Sequence, residues 1–376
     1  MIHIVLRCLS WLVRSFGAVV SSFGAGSRVD RFVRRALGSL FDNVFAIGWR
    51  KNRRNQNEGH PEASSTDCLD EDDFDSREYR VDTTDELYCG YDSTWEVEEP
   101  QESPAKTTRR LPGTTRYKFS RFESAARDMQ NYRHDYRLMR QHCNQNDNKP
   151  NLSFYLGEGY SSPDDLRIDD FHDKWKGDYE KLEYAHNYIQ WLFPLQEPGV
   201  NPKASTLTKE EIKEFLENSK ARENLLKSYE LMLDFYGIEL CNKETGQVTR
   251  APNWRDRFNN LDSHTHNNLR ITRILKCLGT LGYPQYQYPL VLFFLKETLI
   301  NGELPRVKES VLSYFVFAVL DKRQRRRLIK FAYLHYEPKD EFVWCPVKLQ
   351  MMWSASKPQK RTNGENDTCE VDMSHL

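Results

Sequence analysis

The sequence predicts an all-α protein: an irregular bundle of about eight to ten helices, with a disordered acidic linker before it and a short disordered tail after it. From Phe122 onward, apolar side chains recur every three or four residues, and few stretches alternate as strands do. Residues typical of helix boundaries punctuate this region, as at Thr208, Gly237 and Gly282. Of the 376 residues, 39% are hydrophobic and 29% are charged, so the chain can bury a core of its own.

Charge divides the chain into segments that the net charge of −1 conceals. Residues 1–57 carry 10 basic and 2 acidic side chains, whereas residues 58–105 carry 2 basic and 17 acidic ones. Such an acidic segment repels itself and buries little, so residues 58–120, which end in a basic connector, are predicted to be a disordered linker. The helical domain is predicted over residues 121–346, and a disordered tail over residues 347–376.

The N-terminal segment is a basic, amphipathic extension. Apolar residues recur at helical spacing between Ile2 and Phe23. Arg7 and Arg14 interrupt this run, which is therefore shorter than the ~20 residues that a membrane-spanning helix needs. Three interpretations are open: contact of residues 1–50 with a membrane surface, a mitochondrial transit peptide, and an inert extension.

Boundary signals mark several helices of the domain. Pro163 opens the helix predicted at 163–175 and has acidic residues in the first turn after it. Thr208 and Glu211 form a capping box that starts the helix predicted at 208–219. Gly237 is expected just after the end of the helix predicted at 225–236. Residues 239–248 and 342–344 are the stretches that favour a short strand pair. The predicted helices are 122–140, 163–175, 208–219, 225–236, 269–281, 289–300, 305–320 and 321–336.

The motifs of catalysis and metal binding are missing from the sequence. The eight cysteines are too widely spaced for a zinc knuckle or a redox motif, and they are predicted to be reduced thiols of an intracellular protein. His264 and His266 lack further ligands at metal-binding spacing, so polar capping is favoured and no metal site is predicted. Glycine-rich nucleotide loops and a serine nucleophile elbow are absent. The motifs therefore predict neither a cofactor nor catalytic residues.

Two basic clusters are candidate contacts for anions. The first cluster comprises Arg270, Arg273 and Lys276, which recur every three residues along one predicted helix. The second cluster comprises five cations within six residues. Either cluster can bind phosphates or an acidic partner, and the second is also a candidate nuclear-import signal. The alternative is a solvated helix face that pairs with acidic groups of the same chain. The members of the second cluster are Lys322, Arg323, Arg325, Arg326 and Arg327.

Several segments of the chain resemble the opioid growth factor receptor family. The resemblance extends from residue 92 to residue 346. Its longest stretches are too specific for coincidence. The segments are DSTWE (92–96), NLSFY (151–155), WKGDYEKLE (175–183), HNYIQWLFPLQEPGVN (186–201), LLKSYELMLDFYGI (225–238), NNLRITRILKCLG (267–279), residues 304–319, the arginines 325–327 and FVW (342–344).

The resemblance implies a regulator that is not an enzyme. Members of the family are named for binding the pentapeptide met-enkephalin, and they act at the nuclear envelope and in the nucleus to restrain cell proliferation. The resemblance thus implies met-enkephalin as a partner and a location in the nucleus and the perinuclear cytoplasm. The second basic cluster adds a nuclear-import receptor as a candidate partner. The rival function is a helical scaffold that binds nucleic acid or acidic proteins through the two basic clusters.

A site for such a peptide needs an apolar, aromatic surface, an acidic group for the peptide amine and a cation for its carboxylate. Suitable side-chain types lie in the aromatic segment around residue 191 and on the helix of the first basic cluster. The alternative is that Trp191 and Phe193 belong to the core. The candidate peptide-binding residues are Tyr188, Trp191, Phe193, Arg270 and Arg273.

Overall fold

A computed structural model describes residues 81, 83–90, 92–95, 112–134, 136 and 149–355. All of them belong to one compact unit, Asp73–Leu376. The basic N-terminal extension lies outside the described residues, so its three interpretations stay predictions. The same holds for most of the acidic linker and for the tail beyond residue 355.

Helices dominate the described residues and confirm the all-α prediction. These residues form thirteen α-helices, more than the eight to ten predicted, and several of the additional helices have only one or two turns, which carry too few apolar repeats to be separated by periodicity. The helices are α1 (Gly113–Arg133), α2 (Pro150–Tyr155), α3 (Ile168–Lys174), α4 (Tyr179–Tyr184), α5 (Ile189–Leu192), α6 (Lys209–Glu217), α7 (Ser219–Tyr236), α8 (Trp254–Ser263), α9 (Asn267–Thr280), α10 (Gln287–Leu299), α11 (308–318, with a π-helical turn at Val311–Phe315), α12 (Lys322–His335) and α13 (Val347–Ala355).

The boundary residues explain where several helices begin and end. The Oγ1 atom of Thr208 accepts a hydrogen bond from the backbone N–H of Glu211 at 3.1 Å, which caps α6. Asp321 caps α12 in the same way, accepting from the N–H of Gln324 at 2.7 Å. Helix α7 ends at Gly237, whose φ is +75° and whose position leaves no room for a side chain, since a Cβ atom would lie 2.7 Å from the backbone of α8.

Two short strands follow α7. β1 (Ile238–Leu240) pairs antiparallel with β2 (Val248–Arg250) across the turn where the sequence favours a strand pair. Residues 342–344, the other such stretch, do not form a strand. They insert aromatic side chains into the core instead, and Nε1 of Trp344 donates a hydrogen bond to Oγ of Ser313 at 3.0 Å.

The core is organised around two long helices. Helix α7 packs against α2, α3, α6, α8 and β1, whereas α10 packs against α9, α11, α12 and β2. Both helices bury side chains on most of their circumference, as the fully buried Tyr229 in α7 and Phe294 in α10 illustrate. Side chains of α7, α9 and α10 meet around one small apolar cavity, so the two groups of helices share one hydrophobic core.

The folded region is longer at both ends than the predicted interval of residues 121–346. Helix α1 begins at Gly113, before the predicted boundary. Leu87 and Trp95, from the stretch predicted to be a disordered linker, are buried, and α13 continues the fold past residue 346 with Trp353 buried. These anchors lie outside the region of clear helical periodicity, so tertiary contacts alone reveal that they belong to the core.

Two further observations concern the chemistry of the described residues. Cys89, Cys241, Cys277 and Cys345 form no disulfide, and all but Cys241 are buried. Within the same residues, none of the helices combines the length and the apolar character that crossing a membrane requires.

Candidate functional site

Arg270 of α9 binds the end of α4. Its Nη1 atom donates to the carbonyl of Leu182 at 2.8 Å, and its Nη2 atom donates to the carbonyls of Glu183 at 3.2 Å and Ala185 at 2.7 Å. The last carbonyls of a helix have no partner within the helix, so they need an external donor when they are buried. Arg270, which is 5% exposed, is that donor for α4. It thereby joins two of the segments that carry the family resemblance.

Glu183 is a buried carboxylate beside this guanidinium. Its Oε2 atom accepts hydrogen bonds from Nδ2 of Asn260 at 2.6 Å and Nδ2 of Asn267 at 3.2 Å, and its Oε1 atom lies 2.6 Å from Nε2 of His266. Burial by itself raises the pKa of Glu183, but His266 and Asn260 outweigh it and lower this pKa to about 2. The carboxylate is therefore ionised at neutral pH.

Three histidines surround Glu183. The ring centroid of His266 lies 5.4 Å from that of His186 and 5.9 Å from that of His264. Nδ1 of His186 accepts a hydrogen bond from Nη2 of Arg270 at 3.0 Å, because a guanidinium can only donate. Nδ1 of His264 donates to the carbonyl of Asn260 at 2.9 Å, since a carbonyl can only accept. In the part of the chain that the structure describes, histidine, cysteine and acidic side chains form no group able to hold a metal ion.

Two exposed apolar side chains project from the segments that Arg270 joins. Tyr184 lies between Glu183 and Ala185, whose carbonyls accept from Nη2 of Arg270, and is 73% exposed. Leu269, directly before Arg270, is 69% exposed. Glu180 lies one helical turn before Tyr184 and is exposed. We call Glu180, Tyr184, His266 and Leu269 the α4–α9 surface. It combines aromatic, aliphatic, anionic and imidazole groups, the types that a short peptide with charged ends requires.

The aromatic residues proposed from the sequence as peptide contacts lie in the interior. Tyr188 and Phe193 are fully buried and Trp191 is 5% exposed. The hydroxyl of Tyr188 donates to the carbonyl of Leu182 at 2.9 Å, and Nε1 of Trp191 donates to the carbonyl of Ser162 at 3.0 Å. The structure thus places these residues in the core, which is the alternative that the sequence left open.

The first basic cluster also faces inward. Nε of Arg273 donates to the carbonyl of Phe193 at 2.7 Å, and burial lowers the pKa of Arg273. Lys276 is 2% exposed, with Nζ 3.0 Å from Glu197 and 3.2 Å from Asp128. Together with the buried Arg270, this face of α9 binds carbonyls and carboxylates of its own chain and does not present an anion-binding surface.

The second basic cluster is divided between the interior and the surface. Arg325 and Arg326 are buried, and their Nε atoms donate to Oγ1 and to the carbonyl of Thr94, each at 2.9 Å. Arg323 is exposed, whereas Lys322 and Arg327 are partly exposed. The five cations therefore do not form one continuous patch, because the sequence run winds around α12 and two of its members point into the fold.

One serine–histidine pair of the described residues has hydrogen-bonding geometry. Oγ of Ser228 lies 2.9 Å from Nε2 of His172 and donates to the carbonyl of Asn224 in its own helix at 3.0 Å. Since Ser228 is fully buried and its proton is bound by that carbonyl, the pair links α3 to α7 and does not present a nucleophile. Burial lowers the pKa of His172 to about 4, so the imidazole is neutral.

A small cavity lies in the core between α7, α9 and α10. Its volume is about 10 Å³, close to that of a single water probe, and its lining is apolar. A pentapeptide cannot enter a space of this size. Among the features described above, only the α4–α9 surface combines exposure with the side-chain types that such a peptide needs.

The chain is similar to proteins of one family. The opioid growth factor receptor conserved region matches residues 144–351. The opioid growth factor receptor of Mus musculus is 53% identical over 233 residues, which cover 62% of this chain and 36% of that protein. The opioid growth factor receptor-like protein 1 of Mus musculus is 47% identical over 251 residues, covering 65% and 53%. The opioid growth factor receptor of Homo sapiens is 47% identical over 257 residues, covering 68% and 37%.

These matches cover from about a third to about half of the length of the relatives. No solved structure matches the chain. The conserved region spans more than half of the 376 residues and includes α2 to α12 together with the Arg270 and Glu183 network. The chain therefore belongs to the opioid growth factor receptor family.

Proposed function

We propose that this chain is a receptor for met-enkephalin that restrains cell proliferation without catalysing a reaction. The observation that carries the proposal is family membership, since the relatives named opioid growth factor receptor are 47–53% identical to the chain. The buried, helix-bonded Ser228 supports the non-enzymatic role, because the serine–histidine pair it forms serves the packing of α3 on α7.

The peptide binds at the α4–α9 surface in this proposal. The exposed ring of Tyr184 and the side chain of Leu269 cover the aromatic and methionine side chains of the peptide, which are its largest apolar groups. Glu180 pairs with the peptide amine from the same face of α4. The imidazole of His266, with 40% of its side chain exposed, donates to the terminal carboxylate.

Calorimetric titration of met-enkephalin into the full chain tests the proposal. Tyr184→Ala and Leu269→Ala should each weaken binding about fivefold to tenfold, because each removes apolar contact worth on the order of 1 kcal/mol. Glu180→Gln should weaken binding by a smaller factor, since an exposed ion pair contributes less. Tyr160→Ala is the matched control, because Tyr160 is another exposed tyrosine, located outside α4 and α9.

The possible outcomes distinguish an error in the receptor proposal from an error in the proposed binding surface. If the wild-type chain does not bind the peptide, the receptor proposal is wrong. If the wild-type chain binds but the two alanine variants match the Tyr160 control, the α4–α9 surface is wrong and the receptor proposal stands. Circular dichroism shows whether each variant retains its helices; all four altered residues are exposed, so we expect no loss.

The fold gives less support to the rival function, a scaffold for nucleic acid or acidic proteins. Arg270, Lys276, Arg325 and Arg326 are buried and bind groups of their own chain. Binding through phosphate contacts would weaken steeply with salt, by a factor that grows with the number of contacts. A salt titration of any nucleic-acid binding by the chain therefore tests the rival directly.

We also propose a location in the nucleus and the perinuclear cytoplasm. Import in this proposal uses a nuclear-import receptor that contacts the outward members of the second basic cluster, Lys322, Arg323 and Arg327, and residues 1–50 contact a membrane surface peripherally. Fluorescence imaging of the full chain with these three cations replaced by alanine should show reduced nuclear accumulation. The control is Lys330→Ala, an exposed cation one turn further along α12; equal nuclear signal in both variants would contradict the import proposal.

A further inference from the structure

Residues 92–95 (Asp-Ser-Thr-Trp) lie in a slot lined by three arginines of the helical domain. Nη2 of Arg133 in α1 donates to Oδ2 of Asp92 at 2.8 Å, and both side chains are almost completely buried. Arg325 and Arg326 in α12 donate to the side chain and the backbone of Thr94. We call Gln130, Arg133, Arg325 and Arg326 the arginine slot.

Both ends of this tetrapeptide are anchored by side chains. At one end, Asp92 accepts the hydrogen bond from Arg133 and also accepts from the N–H of Thr94 at 2.7 Å, which shapes the turn. At the other end, the ring of Trp95 is 2% exposed and lies 5.8 Å from the guanidinium of Arg326 and 6.4 Å from the ring of Trp353.

Ser93, one of the two residues between the anchors, is bound through both its backbone and its hydroxyl. The N–H of Ser93 donates to Oε1 of Gln130 at 3.0 Å, and the hydroxyl of Ser93 donates to the same oxygen at 3.2 Å. Ser93–Trp95 form a single 3₁₀ turn and are held by α1, α12 and α13 through side chains, without a strand or a helix of their own. A charged anchor, an aromatic anchor and backbone contacts between them are the features by which domains hold short peptides.

We propose that the arginine slot is a recognition site for a protein segment with aspartate and tryptophan three residues apart. Asp92–Trp95 occupy the slot in cis, and a partner protein that carries the same pattern binds there when the chain's own segment leaves. The pattern specifies the partner, because Arg133 requires a carboxylate at the first position and the Arg326–Trp353 pocket requires an indole at the fourth. This inference is independent of met-enkephalin binding at the α4–α9 surface.

Covalent linkage to the domain explains why the chain's own segment, Asp92–Trp95, occupies the arginine slot when no partner is present. A covalently linked segment competes with an effective concentration in the millimolar range, so a partner of equal intrinsic affinity displaces it only at similar concentration. Weakening the anchors of the cis segment, without altering the slot, should therefore open the site to a peptide added in trans.

Fluorescence anisotropy with a labelled synthetic peptide of residues 85–96 tests this proposal. The peptide should bind the full-length Asp92→Ala/Trp95→Ala variant with a micromolar Kd and bind the wild-type chain at least about tenfold more weakly. Adding Arg325→Ala to that double variant should abolish binding, because the guanidinium that binds the hydroxyl of residue 94 is then missing. A peptide with alanine at its Asp92 and Trp95 positions is the matched control and should not bind.

Three results would overturn the proposal: no binding to the folded double variant, equal binding to the variant and the wild-type chain, or equal binding of the control peptide. Circular dichroism establishes whether the double variant is folded. If it is not, the single substitution Trp95→Ala takes its place, since it retains the Asp92–Arg133 pair, and the same three results apply.

Discussion

Arg270 and Tyr188 donate hydrogen bonds to the same carbonyl, that of Leu182, at 2.8 and 2.9 Å. The guanidinium carbon lies 5.4 Å from the centroid of the tyrosine ring, and both side chains are buried. Two residues whose types suit a peptide ligand thus bind the C-terminus of α4 and hold it against α9. The same arrangement leaves Tyr184 and Leu269 on the surface.

Replacing Arg270 should destabilise the fold. Arg270→Ala leaves buried carbonyls of residues 182, 183 and 185 without their donor, so we expect the free energy of unfolding to fall by about 3 kcal/mol. Arg270→Lys should recover part of this loss, because an ammonium cannot reproduce the forked geometry. Urea unfolding followed by circular dichroism measures both. Arg323→Ala, at an exposed position, should stay within about 0.5 kcal/mol of wild type; a similarly small change for Arg270→Ala would contradict the assignment.

Glu183 should make stability depend on pH in the acidic range. Its pKa in the folded protein is lowered to about 2 from an ordinary value of 4.5, so the unfolded chain binds this proton at higher pH than the folded one. The stabilisation is complete above pH 4.5 and is lost as the pH falls toward 2, by about 3 kcal/mol in total. Unfolding free energies of wild type and Glu183→Gln should therefore converge over this interval. A difference that does not change with pH would refute the role of the ionised carboxylate.

His172 should make stability depend on pH over a different pH range from Glu183. Burial lowers its pKa to about 4 from 6.5, so between these values the unfolded chain binds a proton that the folded protein does not. Stability from the neutral imidazole is complete above pH 6.5 and declines as the pH falls to 4. His172→Gln should flatten the stability profile in that interval. His335→Gln, at an exposed position, is the control, and an equal effect of the two substitutions would be inconsistent with the burial of His172.

Thr208 and Glu211 should contribute independently to stability. The capping box predicts reciprocal bonds between them, but the carboxylate of Glu211 instead accepts the backbone N–H groups of Asn151 at 2.8 Å and Leu152 at 3.0 Å. Thr208 caps α6, whereas Glu211 caps α2. Thr208→Ala should cost about 1 kcal/mol and Glu211→Ala about 2 kcal/mol, because the latter leaves two buried donors unpaired.

The double variant distinguishes the two arrangements. Separate caps predict that Thr208→Ala/Glu211→Ala loses the sum of the single losses within about 0.5 kcal/mol. Chemical denaturation of the four proteins in this cycle measures the coupling. A coupling energy above about 1 kcal/mol would instead indicate reciprocal hydrogen bonds between Thr208 and Glu211, as in a capping box.

Local signals identified most of the long helices. The apolar period marks α7, α9, α10 and α12, and the caps at Thr208 and Gly237 act where the sequence places them, because a cap depends on residues within one turn. The short helices α2, α4 and α5 were not predicted, since one or two turns hold too few residues to show a period. The predicted helix at 163–175 is only Ile168–Lys174 in the structure.

The candidate site was less accessible to sequence reasoning. The aromatic residues around position 191 have the composition of a ligand site, but the same composition packs a core, and only burial separates the two. Exposure of Tyr184 and Leu269 depends on which face of α4 and α9 the rest of the chain covers. The direction of Arg325 and Arg326 likewise depends on Thr94, which is more than 200 residues away in the chain.

The amino-acid sequence by itself determined the class of the fold, the positions of the long helices and, through its resemblance, the family. Those properties rest on periodicity, caps and motif words, all of which extend over a few neighbouring residues. Tertiary structure alone decided which cations face inward, which aromatic residues are core and which segment fills the arginine slot. These features depend on contacts between residues that are distant in the chain. The chemical type of a side chain does not determine which distant residues pack over it.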